Sequence, residues 1–191
     1  VKTCSLKFIL YNHPMFSSII ISGALAQDHE FIYPFYRLLE EKSKLDVCLI
    51  GGKPVQGILG TTLPPIKDYP VKDISDVKVN DYDLLVLPGG VKALEKTRQN
   101  KQFIKFISDF HKAGKVIACI CSGVQLLISA KVVKGKKIAG YYHLEDDITN
   151  AGAKYTDLPA VVDSKIITTA HYKDMGPWMR ATLDFFNEKK K

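Results

Sequence analysis

The sequence predicts an α/β protein: a doubly wound sandwich in which a mainly parallel central sheet is covered by helices on both faces. Apolar runs of strand length alternate along the 191 residues with segments of helical period. The runs are apolar at consecutive positions, which is typical of strands buried on both faces of a parallel sheet. Strands of this kind are joined by right-handed crossovers, so the intervening helices cover both sides.

The first half of the chain supplies two strands and one helix. SSIIIS (17–22) and LDVCLI (45–50) are continuous apolar runs, and DHEFIYPFYRLLEEK (28–42) between them has helical spacing. After these elements the pattern weakens into GGKPVQGILGTTLPPIKDYP, which is rich in Gly and Pro. Such a stretch indicates a long excursion with a small hairpin rather than a linker.

The middle of the chain repeats the alternation twice. DLLVLPGG (83–90) is a strand that ends in two glycines, and the helical segment NKQFIKFISDFHKAGK (100–115) follows it. Gly114 stands where the left-handed cap of that helix belongs. The strand VIACI (116–120) then continues without a spacer into the helical SGVQLLISA (122–130).

The last part of the chain adds three strands and two helices. The strands are KKIAGYY (136–142), AVVD (160–163) and KIITTA (165–170), and LEDDITNAG (144–152) is helical. Asp174 followed by Pro177 suits the start of the final helix, DMGPWMRATLDFFNEK. The sequence therefore predicts one domain over residues 1–191, with 189–191 as a frayed tail.

Composition narrows the class of protein. No run of 18 uncharged apolar residues occurs, so a membrane span is not expected and the cytoplasm is the expected compartment. The four cysteines lack the spacing of a zinc site or a secreted disulfide framework, so no metal and no cofactor are expected. The net charge is +7, but only three of the 27 basic residues are arginine and the lysines are scattered, which argues against nucleic-acid binding.

Cys121 is the candidate nucleophile. It follows a strand directly, where ligands collect in a parallel sheet, and a turn this tight resembles a nucleophile elbow with small neighbours Ser122 and Gly123. The start of the next helix and its amides are expected to favour a thiolate near neutral pH. The amides of Ser122 and Gly90 are the expected oxyanion donors. A cysteine at a strand end is also compatible with a plain core residue, and Cys119 is expected to point into the sheet.

A base for this cysteine is less well defined. His171 and His143 follow strands and are candidates, although a loop histidine can equally be solvated. His29 and His111 stand at helix ends, which favours surface positions.

Several motifs resemble the ThiJ/PfpI superfamily, also called the DJ-type or class I glutamine-amidotransferase-like group. They are, in order, EFIYPFYRLLEE, DLLVLPGG, the helix ending in HKAGK, AxICSGVQLLxxA, KGKKIAGY, DDITNAGAKY and VVDxxIIT. The resemblance covers roughly residues 17–188 and leaves 1–15 as an N-terminal extension. It implies a flavodoxin-like sandwich, an elbow cysteine at Cys121, oxyanion amides from Gly90 and Ser122, and a homodimer or larger homo-oligomer.

Three positions depart from the family pattern. The branch with peptidase or glyoxalase activity carries His after the cysteine, and this chain carries Ser122. The family glutamate before IYP is aligned here with Gln27, a neutral amide that cannot transfer a proton, whereas Asp28 and Glu30 are assigned to other positions. TTAHYKD replaces an arginine by Ala170 and inserts His171, which is expected to replace the missing base in part. Tyr141 stands at the position of another family histidine and could donate a hydrogen bond to substrate.

Two functions follow from this pattern. The first is a cysteine-dependent hydrolase or glyoxalase-like lyase for small carbonyl or amide compounds, weak or inactive as a peptidase, in which Cys121, Ser122, Gln27 and His171 carry the reaction. The second is a non-catalytic oxidative-stress sensor or chaperone-like protein that uses the same cysteine. Whether catalysis occurs at all stays open at this level.

Overall fold

A seven-stranded sheet forms the centre of the protein in the computed structural model, which describes residues 16–187. The strands are β1 (Ser17–Ser22), β2 (Lys44–Leu49), β3 (Val55–Gln56), β4 (Thr62–Leu63), β5 (Val71–Lys72), β6 (Leu84–Leu87), β7 (Val116–Ile120), β8 (Lys137–Ile138), β9 (Lys154–Tyr155), β10 (Val161–Asp163) and β11 (Ile166–Thr169). The α-helices are α1 (Asp28–Glu40), α2 (Val91–Thr97), α3 (Lys101–Lys112), α4 (Val124–Ser129), α5 (Glu145–Asn150) and α6 (Met175–Asn187).

The order of strands in the main sheet is β10-β11-β7-β6-β1-β2-β5. Every pair is parallel except β10 with β11. The predicted doubly wound, flavodoxin-like sandwich is therefore confirmed. The carboxyl ends of β1, β6, β7 and β11 lie side by side at one edge of this sheet, which is where the candidate site is found.

Two apolar cores cover the two faces of the sheet. Because side chains alternate along a strand, Ile19 and Ile21 of β1 join one core and Ile20 joins the other. The first core packs under α3, α4 and α5, and the second under α1 and α6. The alternation explains why the strands are apolar at consecutive positions.

The hairpin expected in the Gly- and Pro-rich excursion is confirmed as β3 and β4. The carboxylate of Asp28 holds it against the start of α1 by accepting from the amides of Leu59 at 2.7 Å and Thr61 at 3.0 Å. The excursion also returns β5 to the edge of the main sheet, beside β2.

The segment KKIAGYY and the helix α2 are among the elements that differ from the sequence prediction. KKIAGYY was expected to be a full strand, but only Lys137–Ile138 is extended, and it pairs with β9 in a separate two-stranded sheet. The chain turns at Gly140, where a side chain would lie 2.8 Å from Val124 and Ile148 carbons. The seven-residue helix α2 was not predicted, because so short a segment offers less than two turns of periodicity.

Cys48 and Cys119 are buried and free, as expected for core thiols. Within residues 16–187 no helix combines the length and apolarity needed to span a bilayer. In the same part of the chain no three His, Cys, Asp or Glu side chains are grouped as metal ligands. The predicted N-terminal extension (1–15) and C-terminal tail (189–191) lie outside the described residues, as does Cys4.

Candidate active site

Cys121 occupies the sharp turn between β7 and α4. The three residues Cys121–Gly123 form one 3₁₀ turn. The backbone of Cys121 has a φ of 59°, a left-handed conformation that residues other than glycine rarely adopt. Gly123 permits the turn, because a Cβ there would lie 2.7 Å from the Leu87 carbonyl oxygen. The geometry is that of the predicted elbow, and its strain of about 1–3 kcal/mol is the kind that proteins keep at functional positions.

Ser122 connects the sulfur of Cys121 to the next strand end. Its backbone amide and its hydroxyl both hydrogen-bond the Cys121 sulfur. The same hydroxyl oxygen accepts from the amide of Gly90 at 3.0 Å. The Gly90 amide is thus engaged by Ser122, whose hydroxyl must rotate away before that amide can bind an oxyanion, and its role as an oxyanion donor stays a prediction.

The carboxyl group beside the cysteine belongs to Glu30. Its side chain is 1% exposed, hydrogen-bonds Cys121, and accepts from the amide of Gly89 at 2.9 Å. The sequence-based alignment of Gln27 with the family glutamate is therefore wrong, and the assignment of Glu30 to another position is wrong as well. Helix α1 begins at residue 28, so Glu30 lies in its first turn, where the side chain can reach the carboxyl end of β7.

Gln27 instead caps α1. Its Oε1 accepts from the amide of Glu30 at 3.0 Å, and its Nε2 lies 3.1 Å from His29 Nδ1. A side-chain oxygen on a first-turn amide is the usual function of an N-cap residue. Gln27 therefore supports the residue that contacts the cysteine.

A sequence signal for Glu30 existed in the helical period of α1. Glu30, Pro34 and Leu38 recur every four residues and all three are buried. A carboxylate on the apolar stripe of a helix is rarely placed there for packing, since burying its charge is costly. The prediction followed the alignment on the IYP motif, which pointed to Gln27, instead of this periodicity, which points to Glu30.

The pKa values of Cys121 and Glu30 are both shifted by their surroundings. Burial, followed by the charge of Glu30, raises the pKa of the Cys121 thiol to about 12, although hydrogen bonds from Ser122 oppose the rise. Burial also raises the pKa of Glu30 to about 7. Both shifts favour the protonated thiol over the predicted thiolate, because burial is the largest cause for each group and the charge of Glu30 is the second cause for Cys121. A thiolate at neutral pH therefore stays a prediction, and Glu30 is a carboxyl group placed to exchange a proton with the sulfur.

Tyr141 and His171 lie side by side at the carboxyl edge of the sheet, near Cys121. The amide of Tyr141 donates to the Cys121 carbonyl at 3.3 Å, and its ring centroid is 5.8 Å from that of His171. Nδ1 of His171 accepts from the amide of Lys173 at 3.2 Å, which leaves Nε2 as the outward nitrogen. The structure thus brings His171 to the predicted edge, and its action as a base stays a prediction.

The other candidate histidines divide between the site and the surface. His143 packs against Tyr141 with 5.3 Å between centroids, and His29 packs against Tyr172 at 5.9 Å. His29 lies at the surface, as expected, where its ring packs against Tyr172. His111 lies in the last turn of α3, as expected, and burial lowers its pKa.

Replacing Ser122 by Ala should raise the thiol pKa. The variant removes a hydroxyl that hydrogen-bonds the sulfur but keeps the Ser122 amide, so the anionic form loses one donor. One such bond corresponds to a shift of about one pKa unit. The pH dependence of iodoacetamide alkylation measures the shift. A midpoint unchanged from the wild-type protein would show that the hydroxyl does not stabilise the thiolate.

Comparison with known proteins gives a consistent picture. Residues 17–184 match the model of the DJ-1/PfpI family. An uncharacterized protein of Archaeoglobus fulgidus is 40% identical over 157 residues, covering 82% of this chain and 90% of its own. Deglycase PfpI of Pyrococcus furiosus is 34% identical over 165 residues, covering 85% of this chain and 94% of its own.

A solved structure shares the fold over nearly the whole chain. A two-domain protein of Anabaena variabilis, with DJ-1/ThiJ/PfpI-like and ferritin-like domains, superimposes with a TM-score of 0.81 at 26% identity. The match covers 90% of this chain and 48% of that one, so the present chain spans about half the length of the two-domain protein.

Proposed function

The chain belongs to the DJ-1/PfpI family, and from that premise we propose that it is a cysteine-dependent enzyme acting on small carbonyl or amide compounds, of the glyoxalase, deglycase or amidase type. The observation that carries the proposal is the buried Glu30 carboxyl group in hydrogen-bond contact with Cys121 at a strained strand-to-helix turn. Two relatives, at 34% and 37% identity, bear the name deglycase.

The chemistry begins with a proton transfer. Glu30, as carboxylate, takes the proton of the Cys121 thiol while the sulfur forms a bond to the substrate carbonyl carbon. The electron pair of the C=O π bond moves to oxygen. The amide of Ser122 and, after rotation of the Ser122 hydroxyl, that of Gly90 hydrogen-bond the resulting oxyanion, which then takes the proton back from Glu30.

An α-oxo aldehyde such as methylglyoxal needs only small further steps. Glu30 removes the C–H proton of the former aldehyde carbon, and that electron pair forms the C=C bond of an enediol while the ketone π pair moves to the former ketone oxygen, which takes up a proton. Glu30 then returns its proton to the former ketone carbon, and the hydroxyl group on the sulfur-bearing carbon loses its proton and becomes the C=O of a hydroxy-acid thioester. Water then cleaves the C–S bond, takes up the acyl group as the free acid, and restores the thiol. No redox partner enters this balance.

Ordinary peptides are poor substrates in this proposal. Their hydrolysis needs a group that protonates the leaving amine, and the residue after the cysteine is Ser122 rather than a histidine. His171 could supply that proton only from the opening of the site. An aldehyde has no leaving amine, so its reaction does not need a residue that protonates one.

The second candidate function is an oxidation sensor. Cys121 is only partly buried, and the neutral Glu30 carboxyl group could donate a hydrogen bond to an oxygen added to the sulfur. In this case peroxide oxidises the thiol to sulfenic or sulfinic acid and is reduced to water, and no substrate turns over.

Methylglyoxal consumption and an activated-amide assay separate the two functions. The wild-type protein and a Cys48→Ala variant, which removes a buried free cysteine elsewhere, should turn over at least one of the two substrates, whereas Cys121→Ala should not. Turnover that survives in Cys121→Ala would overturn the enzyme proposal. Absence of turnover, together with an added mass of one or two oxygen atoms on Cys121 after peroxide, would instead support the sensor.

A further inference from the structure

Six aromatic or imidazole rings form a connected rim beside Cys121, at the carboxyl edge of the sheet. The ring centroids of Tyr142 and Tyr141 are 4.4 Å apart, those of Tyr141 and His171 5.8 Å, and those of His171 and Tyr172 4.0 Å. His143 contacts Tyr141 and His29 contacts Tyr172. We use the name aromatic rim for Tyr141, Tyr142, His143, His171, Tyr172 and His29.

The rim is attached directly to the reactive position. The backbone amide of Tyr141 donates to the Cys121 carbonyl, so the backbone of Tyr141 is held next to that of Cys121. His171 and Tyr172 follow β11, which pairs with β7, the strand that Cys121 follows. Three separate segments, after β8, after β11 and at the start of α1, thus contribute rings to one cluster.

The two outer rings of the rim are open to solvent. Tyr142 is 70% exposed and Tyr172 is 48% exposed, so neither ring serves the apolar core. Exposed aromatic rings that stack on one another next to a reactive group present flat apolar surface to whatever approaches that group. Isolated exposed rings need no explanation, but a connected chain of rings across three segments does.

We propose that the aromatic rim is a binding subsite for a planar aromatic group attached to the substrate carbonyl, which makes aryl-bearing carbonyl compounds the preferred substrates. This inference rests on the proposed function, because it names the substrate class of the same site. A planar aryl group fits this surface because Tyr142 and Tyr172 present exposed flat ring faces on which it can stack. Stacking on the outer rings corresponds to about tenfold in binding.

The first test compares phenylglyoxal with methylglyoxal, which carry the same reactive aldehyde. The value of kcat/KM for phenylglyoxal divided by that for methylglyoxal should be about tenfold lower in Tyr142→Ala or Tyr172→Ala than in the wild-type protein. Tyr36→Ala is the matched control, because Tyr36 is 48% exposed on α1 outside the rim. Comparing ratios between variants cancels the intrinsic reactivity of each aldehyde. A ratio that is the same in all four proteins would overturn the inference while leaving the proposed function intact.

The second test does not depend on turnover. Benzamide and acetamide are offered as competitors while iodoacetamide alkylates Cys121. Benzamide should protect the thiol at about tenfold lower concentration than acetamide, and this advantage should disappear in Tyr142→Ala or Tyr172→Ala but persist in Tyr36→Ala. Equal protection by both amides in the wild-type protein would refute the aryl subsite, even if the protein proves to be a sensor with no turnover.

Discussion

Replacing Glu30 by Gln should lower kcat/KM by about 10²- to 10⁴-fold while making the thiol more acidic. The side chains have the same shape, and Gln can still accept from the Gly89 amide, so the packing is kept. The variant loses the group that takes the thiol proton. It also loses the negative charge that raises the pKa of Cys121, so that pKa should fall below about 12. Opposite changes in turnover and acidity are the signature of a proton-transfer residue.

The free energy of unfolding provides an independent measurement on the same variant. Glu30 has a pKa of about 7 in the folded protein and 4.5 as its ordinary value. Between these values the folded state binds more protons than the unfolded state, so this group's contribution to stability is lost as pH rises through about 7. Relative to Glu30→Gln, the wild-type protein should therefore lose about 3 kcal/mol between pH 4 and pH 8.

Glu40→Gln is the matched control for both measurements. It makes the same chemical change on the same helix, but its side chain is 74% exposed and pairs only with Arg37. Turnover, thiol titration and the pH dependence of unfolding should all match the wild-type protein. Loss of turnover in Glu40→Gln, or wild-type turnover in Glu30→Gln, would contradict the assignment of Glu30.

Replacing Gly89 by Ala should damage both stability and the site. The added Cβ would lie 2.5 Å from Glu30 Oε2, 2.9 Å from Cys121 Cβ and 3.1 Å from Ser122 Oγ. Glu30 and Ser122 are each 1% exposed and cannot move into solvent. Adding a methyl group to a well-packed region lowers the free energy of unfolding by about 1–3 kcal/mol. Each kcal/mol lowers Tm by about 2–4 °C in a chain of this size. Turnover should fall because the carboxyl group is displaced from the sulfur.

Gly176→Ala is the companion variant for this experiment. Gly176 lies at the start of α6, and a Cβ there would meet no atom within 4 Å. Thermal unfolding of the two variants, measured together with turnover, separates the clash at the site from the general effect of adding a methyl group. If Gly89→Ala has the same Tm as Gly176→Ala and retains its activity, Glu30 and Cys121 are not as tightly packed as the structure indicates.

Local patterns were sufficient for most of the fold and for the position of the cysteine. The apolar runs predicted β1, β2, β6 and β7 because strands buried on both faces contain at least three consecutive apolar residues. The direct passage from VIACI to Cys-Ser-Gly predicted the elbow, since small residues tolerate such a turn. Short elements such as α2 and β9 were not predicted, because they contain too few residues to show a hydrophobic period.

The partner of the cysteine was missed because it is decided in three dimensions. Gln27 and Glu30 are three residues apart, and only the bounds of α1 determine which of them turns toward β7. Likewise, the thiol pKa depends on burial and on the Glu30 charge, neither of which is a property of the CICSG segment alone. The aromatic rim could not be predicted either, because its rings come from three distant segments.

The sequence by itself determined the family, the α/β sandwich and a cysteine at the end of β7, because each depends on residues that are neighbours along the chain. The tertiary structure decided that Glu30 contacts Cys121, that Ser122 engages the Gly90 amide, and that burial raises the pKa of both Cys121 and Glu30. The physical reason is that contact, burial and charge act through space, and the carboxyl edge of the sheet brings together groups nearly a hundred residues apart.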